Sequence, residues 1–170
     1  MASGREHDRA TCVLALIYGV ICWPWLGIGG AFCSAMTFLF GGLFLSPDLD
    51  IHSRPYQRWG ELRWLWWPYQ RLIRHRSVLS HSPVLGTAIR IAYLSCFVVS
   101  ISWLCSRWGS PTPEQWRSWL QQVWDDSSNS VLIGLIALEA SAWLHLIQDG
   151  DPMPKLPIKL QPPRKRRRRR

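Results

Sequence analysis

The sequence predicts an all-α fold: a polytopic membrane helical bundle of about four spans, with a polar metal-binding face at the cytoplasmic side. Three observations predict it. The chain holds four apolar stretches with almost no charge, its basic residues are distributed unevenly among the segments between them, and His and Asp residues collect at the stretch ends.

At 170 residues the chain has the length of one domain. Hydrophobic residues make up 48%, Trp occurs 12 times, and 20 Lys and Arg against 11 Asp and Glu leave a net charge of +9. The mean hydropathy of −0.03 averages apolar segments with an Arg-rich loop and an Arg-rich tail.

The apolar stretches run from Thr11 to Leu26, Gly27 to Ser46, Val84 to Cys105 and Val131 to Gln148. Three have the ~17–25 residues that a helix needs to cross the hydrocarbon core, and the first is shorter and interrupted by Pro24. A soluble bundle of buried apolar helices would show the same stretches, but it gives no reason for the charge pattern. If all four span, the N-terminus, the loop from Pro47 to Pro83 and the C-terminal tail share one side. That side carries 17 Lys and Arg and the opposite side only Arg107 and Arg117. The positive-inside rule makes the shared side cytoplasmic, so the expectation is a multi-pass protein of the bacterial cell membrane with both termini in the cytoplasm.

Trp23, Trp25, Trp103 and Trp108 fall at the far interface, where indole keeps its ring in lipid and its N–H in water. Thr112-Pro113-Glu114-Gln115 is a capping-box pattern and predicts a short amphipathic surface helix carrying Trp116, Trp119 and Trp124. The polar start contains Glu6 and Asp8 and no small-residue cleavage pattern follows it, which argues against a cleaved signal. The five cysteines lie in or at the ends of apolar segments without a Cys-x-x-Cys pair, and they read as small buried hydrophobes.

The candidate metal ligands are His7, Asp48, Asp50, His75, His81, His145 and Asp149. All fall at the cytoplasmic ends of the predicted spans, so an antiparallel path brings them to one depth. His145 and Asp149 are four apart and share a helix face. Neutral imidazole with carboxylate and no thiolate suits a divalent ion, Zn²⁺ first, with Mn²⁺ or Fe²⁺ as alternatives. Seven candidates exceed the four that a closed zinc site needs, which suits two metals or one metal with surrounding partners. Arg74, Arg76 and Ser82 stand beside the ligands as residues for an anionic substrate. His52 follows Asp50 by two and reads as a water-facing residue.

The order of an N-terminal His, Pro-Asp-x-Asp, His-Arg-x-x-x-x-His-Ser and a late His-x-x-x-Asp resembles an uncharacterised bacterial family of metal-binding membrane proteins. The Ser3 to Asp8 opening and the Tyr56 to Arg58 and Trp64 to Tyr69 stretches fit as well, so the resemblance covers roughly residues 1–150. More remotely, the same layout resembles the inner-membrane metal-dependent hydrolases. The resemblance implies metal binding, and the remoter one implies hydrolysis.

Three functions follow. One is a hydrolase acting at headgroup level on a phosphorylated or otherwise anionic lipid-like substrate; the alternatives are a non-catalytic membrane protein with a structural metal and a membrane-anchored nucleic-acid-binding protein. The aromatic and basic loop, with Tyr56, Trp59, Trp64, Trp66, Trp67 and Tyr69, reads either as a substrate entrance or as an interfacial anchor. The membrane-embedded metal-binding domain is expected over residues 1–151, and residues 152–170 form a Pro-rich, then polybasic tail expected to be disordered. The run Arg164 to Arg170 suits anionic lipid headgroups, with nucleic acid as the lesser partner. Arg90 and Glu139, the two charges inside the spans, are expected to pair beneath the metal site, or Glu139 to reach the metal.

Overall fold

The computed structural model describes residues 4–150, and among them the regular structure is entirely helical. The Pro-rich and polybasic tail lies outside the described residues. The helices are α1 (Gly4–Phe44), α2 (Arg54–Arg58), α3 (Trp67–Leu72), α4 (Val78–His81), α5 (Leu85–Leu104) and α6 (Pro113–Gln148), with 3-10 turns at Pro47–Asp50, Gly60–Trp66 and Ser106–Trp108.

Three helical segments, rather than four separate ones, are long and apolar enough to cross a membrane: Gly4–Asp50, Leu85–Leu104 and Pro113–Gln148. The first two apolar stretches are the limbs of α1. A straight helix would hold Thr11 and Gly42 about 46 Å apart, yet a Cβ on Gly42 would lie 2.5 Å from the Thr11 methyl. The reversal occurs at Gly27, at φ 64 and ψ −175, a conformation that a side chain would strain. Because one residue turns the chain, no polar loop separates the limbs.

The amphipathic segment and the fourth stretch are likewise joined. They are the two parts of α6, broken at Ser127 (φ −148, ψ 34). The capping box forms as its residues require: the Thr112 hydroxyl accepts from the Gln115 N–H, and the Gln115 side chain accepts from the Thr112 N–H at 2.8 Å. Trp116 donates its indole N–H to Ser102, fastening α6 to the end of α5.

α1 packs chiefly on α6 through Ala15, Phe38 and Ala137. Gly41 sits against Ser141, where a side chain would have no room. Elsewhere α1 leaves large apolar side chains bare, among them Leu16, Trp25, Ile28 and Phe32 at 67–79% exposure.

The loop from Pro47 to Pro83 is a packed layer. Leu45, Leu49, Tyr56, Leu65, Trp66 and Tyr69 form one buried cluster against Tyr93 and Phe97 of α5. Neither reading of its aromatics holds for the whole set. Trp66 and Tyr69 are sealed in the core, whereas Trp64 and Trp67 remain over half exposed. The cause is a ring network: Trp66 packs edge-on against Trp59 and Tyr69 and lies tilted on Tyr93. Arg58 and Trp59 donate to the carbonyls of Leu43 and Phe44, satisfying orphan acceptors at the end of α1. Arg54 and Arg58 also bind the Asp8 carboxylate, which ties the loop to the first turns of α1.

Candidate metal centre

Four chain segments meet at one end of the bundle. His7 comes from the first turns of α1, Asp48 and Asp50 from the 3-10 turn that Pro47 opens, His75 and His81 from the turn before α4 and its last residue, and His145 and Asp149 from the end of α6. Each histidine is held through one ring nitrogen. The Nδ1 atoms of His7, His75, His81 and His145 lie 2.7 Å from Gln148 Oε1, 2.8 Å from Asp50 Oδ1, 2.8 Å from Ser80 Oγ and 3.3 Å from Ser46 Oγ. Gln148 Oε1 and the Asp50 carboxylate only accept, so Nδ1 of His7 and of His75 donates. The Ser80 hydroxyl gives its own proton to the Arg74 or Ser77 carbonyl, so it too accepts from its histidine.

With Nδ1 protonated, Nε2 of His7, His75 and His81 carries the lone pair, and the Ser46 hydroxyl can serve His145 Nδ1 as either donor or acceptor. The Nε2 atoms of His7, His81 and His145 face carboxylates at spacings that suit metal ligation. His145 Nε2 is 3.3 Å from Asp48 Oδ2 and 3.7 Å from Asp149 Oδ2, His7 Nε2 is 3.2 Å from Asp149 Oδ1, and His81 Nε2 is 3.7 Å from Asp48 Oδ1. Two donors each about 2.1 Å from one tetrahedral ion stand about 3.4 Å apart. Two of these buried nitrogens, His81 Nε2 and His145 Nε2, have no hydrogen-bond partner. Buried polar atoms left in this state are rare and costly, and metal ligation would satisfy both. The residues fit a metal ion. Within the groups His7, His145, Asp149 and Asp48, His75, His81, one donor atom from each residue lies within 4.8 Å of the others.

The comparisons with known proteins agree with this chemistry. A family described as "Uncharacterized metal-binding protein (DUF2227)" matches residues 2–155. The chain belongs to this metal-binding family. A protein of Aquifex aeolicus (strain VF5), itself described as "Uncharacterized protein", is 50% identical over 58 residues, which is 34% of this chain and 40% of that protein. The chain thus spans well under half the length of that relative. No solved structure matches the chain.

In this member of the metal-binding family the two aspartates of the Pro-Asp-x-Asp motif have different surroundings. Asp48 stands between His81 and His145. Its Oδ1 faces His81 Nε2 at 3.7 Å and its Oδ2 faces His145 Nε2 at 3.3 Å. Asp50 lies behind the histidines: Oδ1 takes the His75 Nδ1 proton, and Oδ2 is 3.6 Å from His81 Nδ1. It orients rings, as the carboxylate does in carboxylate–histidine–metal arrangements. Beneath it, burial pushes the Tyr69 hydroxyl up to about 12; Arg90 opposes that rise and Asp50 adds to it.

Arg90 and Glu139 do not form the expected ion pair. Arg90, 1% exposed, donates to the Ser80 carbonyl and to Thr87 Oγ1, bracing the turn that carries His81. Glu139 Oε1 accepts the N–H of Val84 at 2.7 Å. Val84 precedes the first turn of α5, whose free N–H groups and positive dipole end attract a carboxylate at that depth. Arg74 is exposed, Arg76 is half-buried in a left-handed conformation at φ 57, and Ser82 Oγ is buried without a hydrogen-bond partner. His52 packs edge-on against Tyr56, away from the centre. The sequence reading missed Ser46, Ser80 and Gln148. Each directly precedes a motif residue or its Pro, and adjacency was the available signal.

Proposed function

We propose that this chain is a membrane-embedded, metal-dependent hydrolase acting at headgroup level on a phosphorylated or otherwise anionic lipid-like substrate. The observation that carries the reading is a gradient of exposure across the centre. The side chains of His81, His145 and Asp149 are 5%, 7% and 9% exposed, whereas Asp48 and His75 are 21% and 35% exposed. One flank is therefore sealed and the other is open to a ligand, as a catalytic rather than a purely structural site requires. A divalent ion, Zn²⁺ first and Mn²⁺ or Fe²⁺ next, supplies Lewis acidity toward a phosphoryl or carbonyl oxygen. The chain's own residues do the rest. Arg74 and Arg76 flank His75 and would hold an anionic group by charge-assisted hydrogen bonds. Asp50 and Ser80 keep the imidazoles in the ligating tautomer.

The lipid side of the proposal rests on the bare apolar faces of α1. It rests also on a groove of about 620 Å³ between α1 and α6, lined by Leu14, Ile17, Ile21, Ile136, Trp143 and Ile147. Ile147 stands two residues before Asp149, so an acyl chain in the groove would leave its headgroup beside the centre. The purified protein is expected to release phosphate from a phosphorylated lipid in mixed micelles only when metal-loaded, and Arg76→Ala should raise KM at least tenfold. Absence of release from every anionic lipid tested, with metal bound, would sink the hydrolase reading. A reporter fused after Arg170 is expected to read as cytoplasmic and one inserted near Ser110 as external. The reverse result would invert the proposed orientation.

A further inference from the structure

The ligating atoms divide into two sets, and Asp48, grouped with the second, also reaches His145 of the first. His7, His145 and Asp149 form one group; His75 and His81 form the other with Asp48. The Asp48 carboxylate is split between them. Oδ2 faces His145 Nε2 at 3.3 Å and Oδ1 faces His81 Nε2 at 3.7 Å. A carboxylate serving one ion would turn one or both oxygens toward a single ligand set. Here its oxygens address imidazoles that approach from α4 and α6. Within the first set, Asp149 also divides its oxygens, Oδ1 to His7 and Oδ2 to His145, and the two rings stack at 4.3 Å. In the second set, His75 meets His81 edge-on at 5.0 Å.

We propose that the centre holds two divalent ions bridged by Asp48, and that the two positions are chemically unequal. The first position, built by His7, His145, Asp149 and Asp48 Oδ2, has four protein donors, the number that closes a tetrahedral site. The second, built by His75, His81 and Asp48 Oδ1, has three, the number that leaves one position for a ligand. Exposure is concentrated on one residue: His7, His145 and Asp149 of the four-donor set are 13%, 7% and 9% exposed, and the three-donor set pairs the buried His81 at 5% with His75, the most open of the ligating side chains at 35%. The anion-holding arginines proposed above also flank His75, so the three-donor position is the one that meets substrate. This inference rests on metal binding and stands whether or not the substrate is hydrolysed.

The test uses the full chain purified in detergent and reconstituted with Mn²⁺, read by metal analysis and electron paramagnetic resonance. Wild type is expected to hold two ions per chain with an exchange-coupled spectrum. His7→Gln should retain one ion, at the three-donor position, and His75→Gln one ion, at the four-donor position. Both variants should show the spectrum of isolated Mn²⁺, and the ion that each keeps reports that its fold is intact. Inorganic phosphate should perturb the spectrum of His7→Gln and leave that of His75→Gln unchanged. Asp48→Asn should abolish the coupling. A single ion in the wild type, an uncoupled pair, or loss of all metal in both His variants would overturn the proposal. Two coupled ions without lipid hydrolysis would leave it standing while removing the hydrolase reading.

Discussion

Chelation of the metal-loaded protein is expected to lower its unfolding midpoint sharply, and His145→Ala to forfeit a large part of that metal-dependent increment. An ion that binds the native state alone stabilises it by RT ln(1 + [L]/Kd), about 4 kcal/mol when the free ion stands 1,000-fold above Kd. His145 is the imidazole whose Nε2 faces both Asp48 and Asp149, so its loss removes the link between the 3-10 turn and the end of α6. Thermal unfolding in detergent, with and without chelator, gives the comparison. His52→Ala should behave as wild type, because His52 packs on Tyr56 outside the centre. Equal midpoints with and without chelator in the wild type would show that the bound metal does not stabilise these segments.

The other large effect is expected beneath the centre. Trp66 is 0% exposed and packs on Trp59, Tyr69 and Tyr93. Trp66→Ala should cost about 3–5 kcal/mol of stability, since the cavity adds to the lost transfer energy. Trp64, two residues earlier and 55% exposed, should tolerate the same change within about 0.5 kcal/mol. Chemical denaturation of both variants measures the contrast. Equal losses would mean that the loop aromatics act as one surface layer rather than as a core with an outer shell.

These residues also mark how far the sequence could be read. Convergence of His7, Asp48, His75, His81, His145 and Asp149 was legible because each lies at the same end of an apolar stretch, and antiparallel helices bring such ends together. The Thr112 to Gln115 cap was legible because its chemistry is local. The reversal at Gly27 was not: it takes one residue, needs no polar loop and leaves the apolar run unbroken. Nor could composition separate Trp66 from Trp64, since an aromatic core and an aromatic rim use the same residues. The Arg90 and Glu139 expectation failed for a different reason. A rise of ~1.5 Å per residue gives the depth of a side chain, but depth alone does not show that the free N–H groups at the start of α5 offer Glu139 a competing partner.

The separation of the donors along the chain sets an order of assembly. Asp48, His75 and His81 are all present once about half of the chain has been synthesised, whereas the contact between His7 and Asp149 joins residues 142 apart. The set of His7, His145 and Asp149 is therefore complete only after the end of α6 has been synthesised, and an ion bound there would clasp the beginning of α1 to the end of α6.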